Sequence, residues 1–181
     1  DQILAAIERV ISAITKAPFP VLAAVNGLAA GLGSSLALAC DLQVTKVSGY
    51  FLQAFINVGL MGDGGAHMFL AETLGRARAA RLLMLGERLP NKEAFAAGLV
   101  SHCVADDDFD RTVEELVERL ANGPTMAFSR IKSAINAAAI SQLDEVLALE
   151  SAGQTVLGNS ADHQEGILAF TQKRPANFTG A

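Results

Sequence analysis

Two short glycine-bearing stretches are the parts of this chain whose residue types and spacing can do chemistry. The first is Gly31-Leu32-Gly33, set between an apolar run and a stretch of small, helix-tolerant residues. Glycine lets the backbone turn sharply and approach a ligand closely. Amides at the start of a following helix point outward and carry the positive end of its dipole, so such a place can hold a phosphate or a developing oxyanion. The second is Asp63-Gly64-Gly65, a carboxylate beside a glycine turn, where it can serve as a general base. Each has a plainer reading: a tight strand-to-helix turn for the first, an N-cap for Asp63, since Asp is among the best caps. Taken alone, the plainer readings come first.

Other chemistry finds little support. A dinucleotide fingerprint needs a third glycine where Leu36 stands, and the Gly-Lys-Ser/Thr of a phosphate loop is absent. His67, His102 and His163 are scattered without ligand spacing and read as ordinary surface or core histidines; no metal site is expected. No Gly-x-Ser-x-Gly elbow occurs. Cys40 and Cys103 have no metal spacing, give no disulfide framework and fit a reducing, cytoplasmic setting.

The elements that must position the glycine turns follow from periodicity. Ile3, Ile7, Val10, Ile11 and Ile14 form one helical stripe, ended by Pro18 and Pro20. Val21 to Val25 reads as a strand buried on both faces, and Asn26-Gly27 as a turn. Leu42 to Lys46 and Tyr50 to Ala54 read as short strands. Helices are expected over about Ala66 to Leu74 and Arg76 to Leu85, the latter with an Arg-rich outer face. Asn91 is expected to cap a short helix that Gly98 ends, and Leu99 to Val104 is strand-like. From Asp110 onward the chain is almost all helix, broken at Asn122-Gly123-Pro124 and near Gly158-Asn159-Ser160. The division is a core over 1–109 and a helical region over 110–181.

With 181 residues, 51% hydrophobic and 18% charged, the chain suits one globular domain with a sizeable core. A net charge of −5 builds no cationic face for nucleic acid, and no apolar run reaches membrane-span length. Asp1-Gln2-Ile3-Leu4 looks like a helix already under way, and residues before Asp1 are expected.

A longer pattern now stands out. The stretch Pro20-Val21-Leu22-Ala23-Ala24-Val25-Asn26-Gly27, then Ala29, Gly31 and Gly33, then Leu36 to Asp41, resembles the signature of the crotonase (enoyl-CoA hydratase/isomerase) superfamily. Further matches follow in order: Gly59-Leu60, Asp63-Gly64-Gly65, Leu82 to Gly86, Ala94 with Gly98-Leu99-Val100, and Glu165-Gly166, Ala169-Phe170, Lys173-Arg174 and Asn177-Phe178. The likeness covers essentially the whole chain and is nearest to epoxyphenylacetyl-CoA isomerase-like members.

The resemblance implies an α/β fold, a spiral of ββα turns followed by a C-terminal helical trimerisation region, with the N-terminal part apparently missing. It implies an acyl-CoA substrate, with coenzyme A as part of that substrate and no separate cofactor, and assembly as a homotrimer or hexamer. Two backbone N–H groups would hold the thioester oxygen as it takes on enolate charge. One donor falls on the amide of Leu32; the other would come from an earlier strand that this chain lacks, so the chain alone would be weak. Phe170 and Lys173 match residues that help cover the CoA of a neighbouring subunit. Gly31, Gly33, Phe55, Leu60 and Met61, with Met68, are expected to line the substrate pocket, although plain core is an equal reading for the larger ones.

The chain departs from the hydratases. Their two glutamates fall on Ser35 and Phe55, which cannot serve as carboxylate acid or base. Asp63 falls where several isomerases of the superfamily carry their carboxylate. The expectation is an isomerase that shifts a double bond or rearranges an epoxide-bearing acyl-CoA. The alternatives are a catalytically reduced acyl-CoA binding or assembly protein, a hydratase-like enzyme with non-standard acid and base, or another reaction through Asp63 such as dehalogenation or thioester hydrolysis. Asp63 facing the Leu32 amide across a cavity favours an enzyme; a buried cap without a cavity favours the binding protein.

Overall fold

The computed structural model describes residues 2–181; Asp1 lies outside them. Helix α1 (Gln2–Lys16) is followed by β1 (Leu22–Val25), β2 (Leu28–Ala30) and α2 (Leu32–Ala39). Then come β3 (Leu42–Lys46), β4 (Tyr50–Leu52) and a 3-10 turn over Ala54–Val58. Helices α3 (Ala66–Leu74) and α4 (Arg76–Leu85) precede β5 (Arg88–Pro90), α5 (Asn91–Ala96) and β6 (His102–Val104). Four helices finish the chain: α6 (Phe109–Ala121), α7 (Thr125–Ala139), α8 (Leu143–Leu157) and α9 (Ala161–Gln172).

The strands divide between two sheets, ordered β1-β3-β6 and β2-β4-β5. Each of the first two turns sends one strand to each sheet before a helix returns the chain, which makes a ββα spiral. β1 pairs with β3 and β2 with β4, both parallel, with Ala23 opposite Gln43 and Ala29 opposite Phe51. Parallel pairing forces a crossover, and α2 supplies it. The hairpin-like return of β5 onto β4 is antiparallel.

The core lies between the sheets and α1 to α4, with Ile11, Leu38, Phe51, Phe69, Leu70 and Leu82 buried. Leu143 and Leu147 of α8 reach the same core, so the helical region is tied to the spiral. Lys132 of α7 adds a second tie. Its Nζ donates to Asp41 Oδ2 at 2.8 Å and to the carbonyl of Ile14 at 2.7 Å, holding the α1–β1 connection. Among the described residues, no helix is long and apolar enough to cross a membrane.

Four expectations need correction. The strand-like stretch Leu99 to Val104 is a strand only over His102–Val104, because Gly98 turns the chain at a φ of 78 and Leu99 to Ser101 complete the bend. β1 is not buried on both faces: Ala24 is exposed while Val25, on the opposite face, is buried, because the face of Leu22 and Ala24 borders a cavity toward α6 instead of being packed. Asn91 is not a cap. It is the first residue of α5, fully buried, and its Nδ2 donates to the carbonyl of Lys46 at 2.8 Å. β4 stops at Leu52, and Ala54 already belongs to the 3-10 turn. Strands β2 and β5, three residues each, carry too little pattern to announce themselves.

Candidate active site

Gly31 makes the first turn. Its φ of 52 lies in the left-handed region that favours glycine, and its N–H donates to the carbonyl of Leu52 on β4 at 2.9 Å. Its own carbonyl accepts from the N–H of Ser34 at 2.9 Å and of Ser35 at 3.3 Å. The amides of Leu32 and Gly33, at the head of α2, donate to no described residue. They are the orphan donors of a helix N-terminus. The Phe55 ring covers this turn, 3.6 Å from where a Cβ on Gly31 would stand.

The second glycine turn packs on the first. A Cβ on Gly64 would lie 3.0 Å from Cβ of Ser35 and 3.2 Å from Cδ1 of Leu32. The Ser35 hydroxyl, fully buried, donates to the carbonyl of Asp63 at 2.6 Å. Ser35 and Asp63 are thus brought together from consecutive turns of the spiral, with Leu32 against Gly64 beside them. Ser35 ties down the backbone of Asp63.

Asp63 is 7% exposed. Its Oδ2 accepts from Nε2 of Gln154, on α8, at 3.1 Å, while Oδ1 is buried without a partner. Burial pushes this carboxyl above its ordinary range, and nearby Glu150 adds to the rise; the Gln154 bond and His67 act the other way. The cap reading of Asp63 fails. The N-cap of α3 is Gly65, and the Asp63 side chain bonds no helix amide.

The capping group is Glu150 of α8, 2% exposed. Its Oε2 accepts from the N–H of Gly65 at 2.7 Å and its Oε1 from the N–H of His67 at 3.2 Å. The same Oε1 lies 2.7 Å from Nδ1 of His67. A buried carboxylate needs such donors, and the positive end of the helix dipole favours it there. Sequence reading missed Glu150, Gln154 and the His67 contact. They lie more than 80 positions from the turn they hold, and the only available signal was a run of acids and amides on an otherwise apolar helix.

The expected pocket residues separate. Leu60 and Met61 line two cavities. One, of about 380 Å³, is walled also by His67, Arg76 and Leu83; the other, of about 390 Å³, by Leu157, Asp162 and Phe178. Gly33 lines a third, of about 450 Å³, along β1 and α2. Gly31 and Phe55 face each other and border none of the three, and neither does Asp63. Met68 lies in the core. Phe170, 75% exposed, and Lys173 stand on the surface at the end of α9.

The chain is a ββα spiral in which a helix N-terminus packs beside a turn that bears a buried carboxylate. This chain belongs to the enoyl-CoA hydratase/isomerase family, whose pattern matches residues 3–181. It is 43% identical over 96% of its length to the "Probable enoyl-CoA hydratase" of Rhodobacter capsulatus, covering 67% of that protein. It is 41% identical over 92% of its length to the 1,2-epoxyphenylacetyl-CoA isomerase of Escherichia coli, covering 64% of it. The crystal structure of an enoyl-CoA hydratase from Mycobacterium avium subsp. paratuberculosis superposes with a TM-score of 0.97 at 46% identity, covering 99% of this chain and 73% of that one. The chain spans about two thirds of the length of these curated relatives.

Proposed function

We propose that this chain is an acyl-CoA isomerase that passes through a thioester enolate, with Asp63 as the base. The observation that carries the reading is the Asp63 carboxyl itself. It is buried, serves no cap, keeps one oxygen unpartnered, and packs through Ser35 against the helix whose Leu32 amide is free. Asp63 takes a proton from the carbon next to the unsaturation. The electron pair moves toward the thioester, and its oxygen gathers charge opposite the Leu32 N–H. The same proton returns at a second carbon, so atoms and charge balance. A donor aimed at such an oxygen contributes about 3–4 kcal/mol to lowering the barrier, and a raised carboxyl is a stronger base at neutral pH.

The non-carboxylate residues Ser35 and Phe55 support this reading over hydration, and the likeness to the Escherichia coli isomerase is consistent with it. Apolar side chains left exposed on α7 to α9, Ile131, Ile135, Leu149 and Val156 among them, support homotrimeric or hexameric assembly. Phe170 and Lys173 would then reach a neighbour's CoA. A second reading, an acyl-CoA binding protein with reduced catalysis, draws on Asp63 bordering none of the three cavities described. A panel of acyl-CoAs differing in double-bond position separates the two. Conversion of a 3-enoyl-CoA to its conjugated isomer supports the isomerase; binding with no conversion of any member refutes it.

A further inference from the structure

Two buried oxygens near the base have no partner: Oδ1 of Asp63 and Oε1 of Gln154. The two side chains already meet through their other ends, Nε2 of Gln154 donating to Oδ2 of Asp63 at 3.1 Å. Both residues are at least nine-tenths buried, at 7% and 6% exposed. A buried polar atom left unpaired is uncommon and costly, and two on side chains already in contact share one remedy. A proton on Oδ1 turns that atom into a donor, and Oε1 of Gln154, on the side chain already bonded to the same carboxyl, is a buried acceptor without a partner. The end torsions of Asp and Gln are soft, so the amide and the acid can align without leaving a rotamer well.

We propose that Gln154 is a positioning residue that holds Asp63 in both of its protonation states, donating to the carboxylate through Nε2 and accepting from the protonated acid through Oε1. This rests on the reading of Asp63 as the proton carrier. The device suits a group that must take a proton and give it back, because neither state leaves it unsupported or free to swing. It also gives α8 a part in the site that reaches beyond packing. The charged and titratable groups around Asp63 are Glu150, from α8, which favours the protonated acid, and His67, from α3, which opposes it. From α2 comes only the neutral hydroxyl of Ser35, on the Asp63 carbonyl. Glu150 is fixed by the α3 amides and His67, so Gln154 is the neighbour able to answer a change of protonation.

The test is a carbon-13 titration of the Asp63 carboxyl in the unliganded protein, set beside the pH profile of turnover. In Gln154→Leu the carboxylate loses a bond to a charged group and the acid loses only neutral ones; the former is the stronger, so Asp63 titrates at higher pH than in the unsubstituted protein. The rising limb of turnover moves with it, so activity on that limb falls by about tenfold for each pH unit the limb moves and returns on the alkaline side. Gln154→Glu restores an oxygen pair, and the two acids share a proton and titrate in two separated steps. A Gln154 that merely packs α8 would lower the melting temperature of Gln154→Leu and leave the Asp63 titration in place; that result overturns the proposal. A shifted titration that turnover does not follow keeps the pairing and removes Asp63 from the chemistry instead.

Discussion

Replacing Glu150 by Ala removes the one acceptor shared by the head of α3. The N–H of Gly65, at 2.7 Å, and the N–H of His67, at 3.2 Å, lose a charged partner at a site where Glu150 is 2% exposed. Bonds to a charged group contribute about 1.5–3 kcal/mol each, and a buried donor left without a partner costs a similar amount. The His67 ring is about one-third exposed on its side chain and can turn to water, so it adds little. The two amides together set the loss at about 3–5 kcal/mol. For a domain of this size, that lowers the melting temperature by about 6–20 °C. The assay is urea unfolding at fixed protein concentration, followed by circular dichroism, with the midpoint falling and the slope unchanged. Glu150→Gln keeps the shape and one acceptor oxygen and should lose roughly half as much. A loss under about 1 kcal/mol in Glu150→Ala, or equal losses in both variants, would refute the assignment of Glu150 as the cap.

A Cβ on Gly166 would stand 2.6 Å from Cα of Val58, against backbone that cannot swing aside; Gly166→Ala should destabilise by about 1–3 kcal/mol, and an unchanged urea midpoint would contradict the close approach of α9 to the 3-10 turn. The Asp63 carboxyl is raised in the fold, so the folded state holds a proton that the unfolded state has released. Stability therefore falls as pH climbs from the ordinary carboxylate value through the folded value, and is flat above it. Asp63→Asn should abolish that fall and be the more stable protein at neutral pH. Parallel stability-against-pH curves for the two would show that Asp63 is not raised.

The periodic elements were legible because each carries its pattern locally. The stripe Ile7, Ile11, Ile14 gave α1, and the breaks at Pro124 and Gly158 to Ser160 fall between α6 and α7 and between α8 and α9. The strand reading of Val21 to Val25 failed on burial because an unbroken apolar run describes composition, and what covers the outer side of β1 is not written in β1. At the site, the two glycine turns were legible as turns, and their meeting was not. Nothing local says that Ser35 will bond the carbonyl of Asp63. The role of Asp63 turned on a distant residue: Asp is a good cap by type, but Glu150 reaches the amides of α3 first and leaves Asp63 its unpartnered oxygen. Glu150 and Gln154 sit four apart on α8, on one helix face, and only the packing of α8 on α3 shows what that face touches.

The central claim is that Asp63 carries the proton. Its most direct test is the turnover of Asp63→Asn on a 3-enoyl-CoA, followed as ultraviolet absorbance of the conjugated product, with acyl-CoA binding measured separately by calorimetry. Asn keeps the size of the side chain and an oxygen for Gln154 but cannot take a proton from carbon, so turnover should fall by about 100- to 10,000-fold with binding nearly intact. Unchanged turnover in Asp63→Asn would contradict the account, and measurable hydration of a 2-enoyl-CoA alongside it would return Ser35 and Phe55 to the centre of the question.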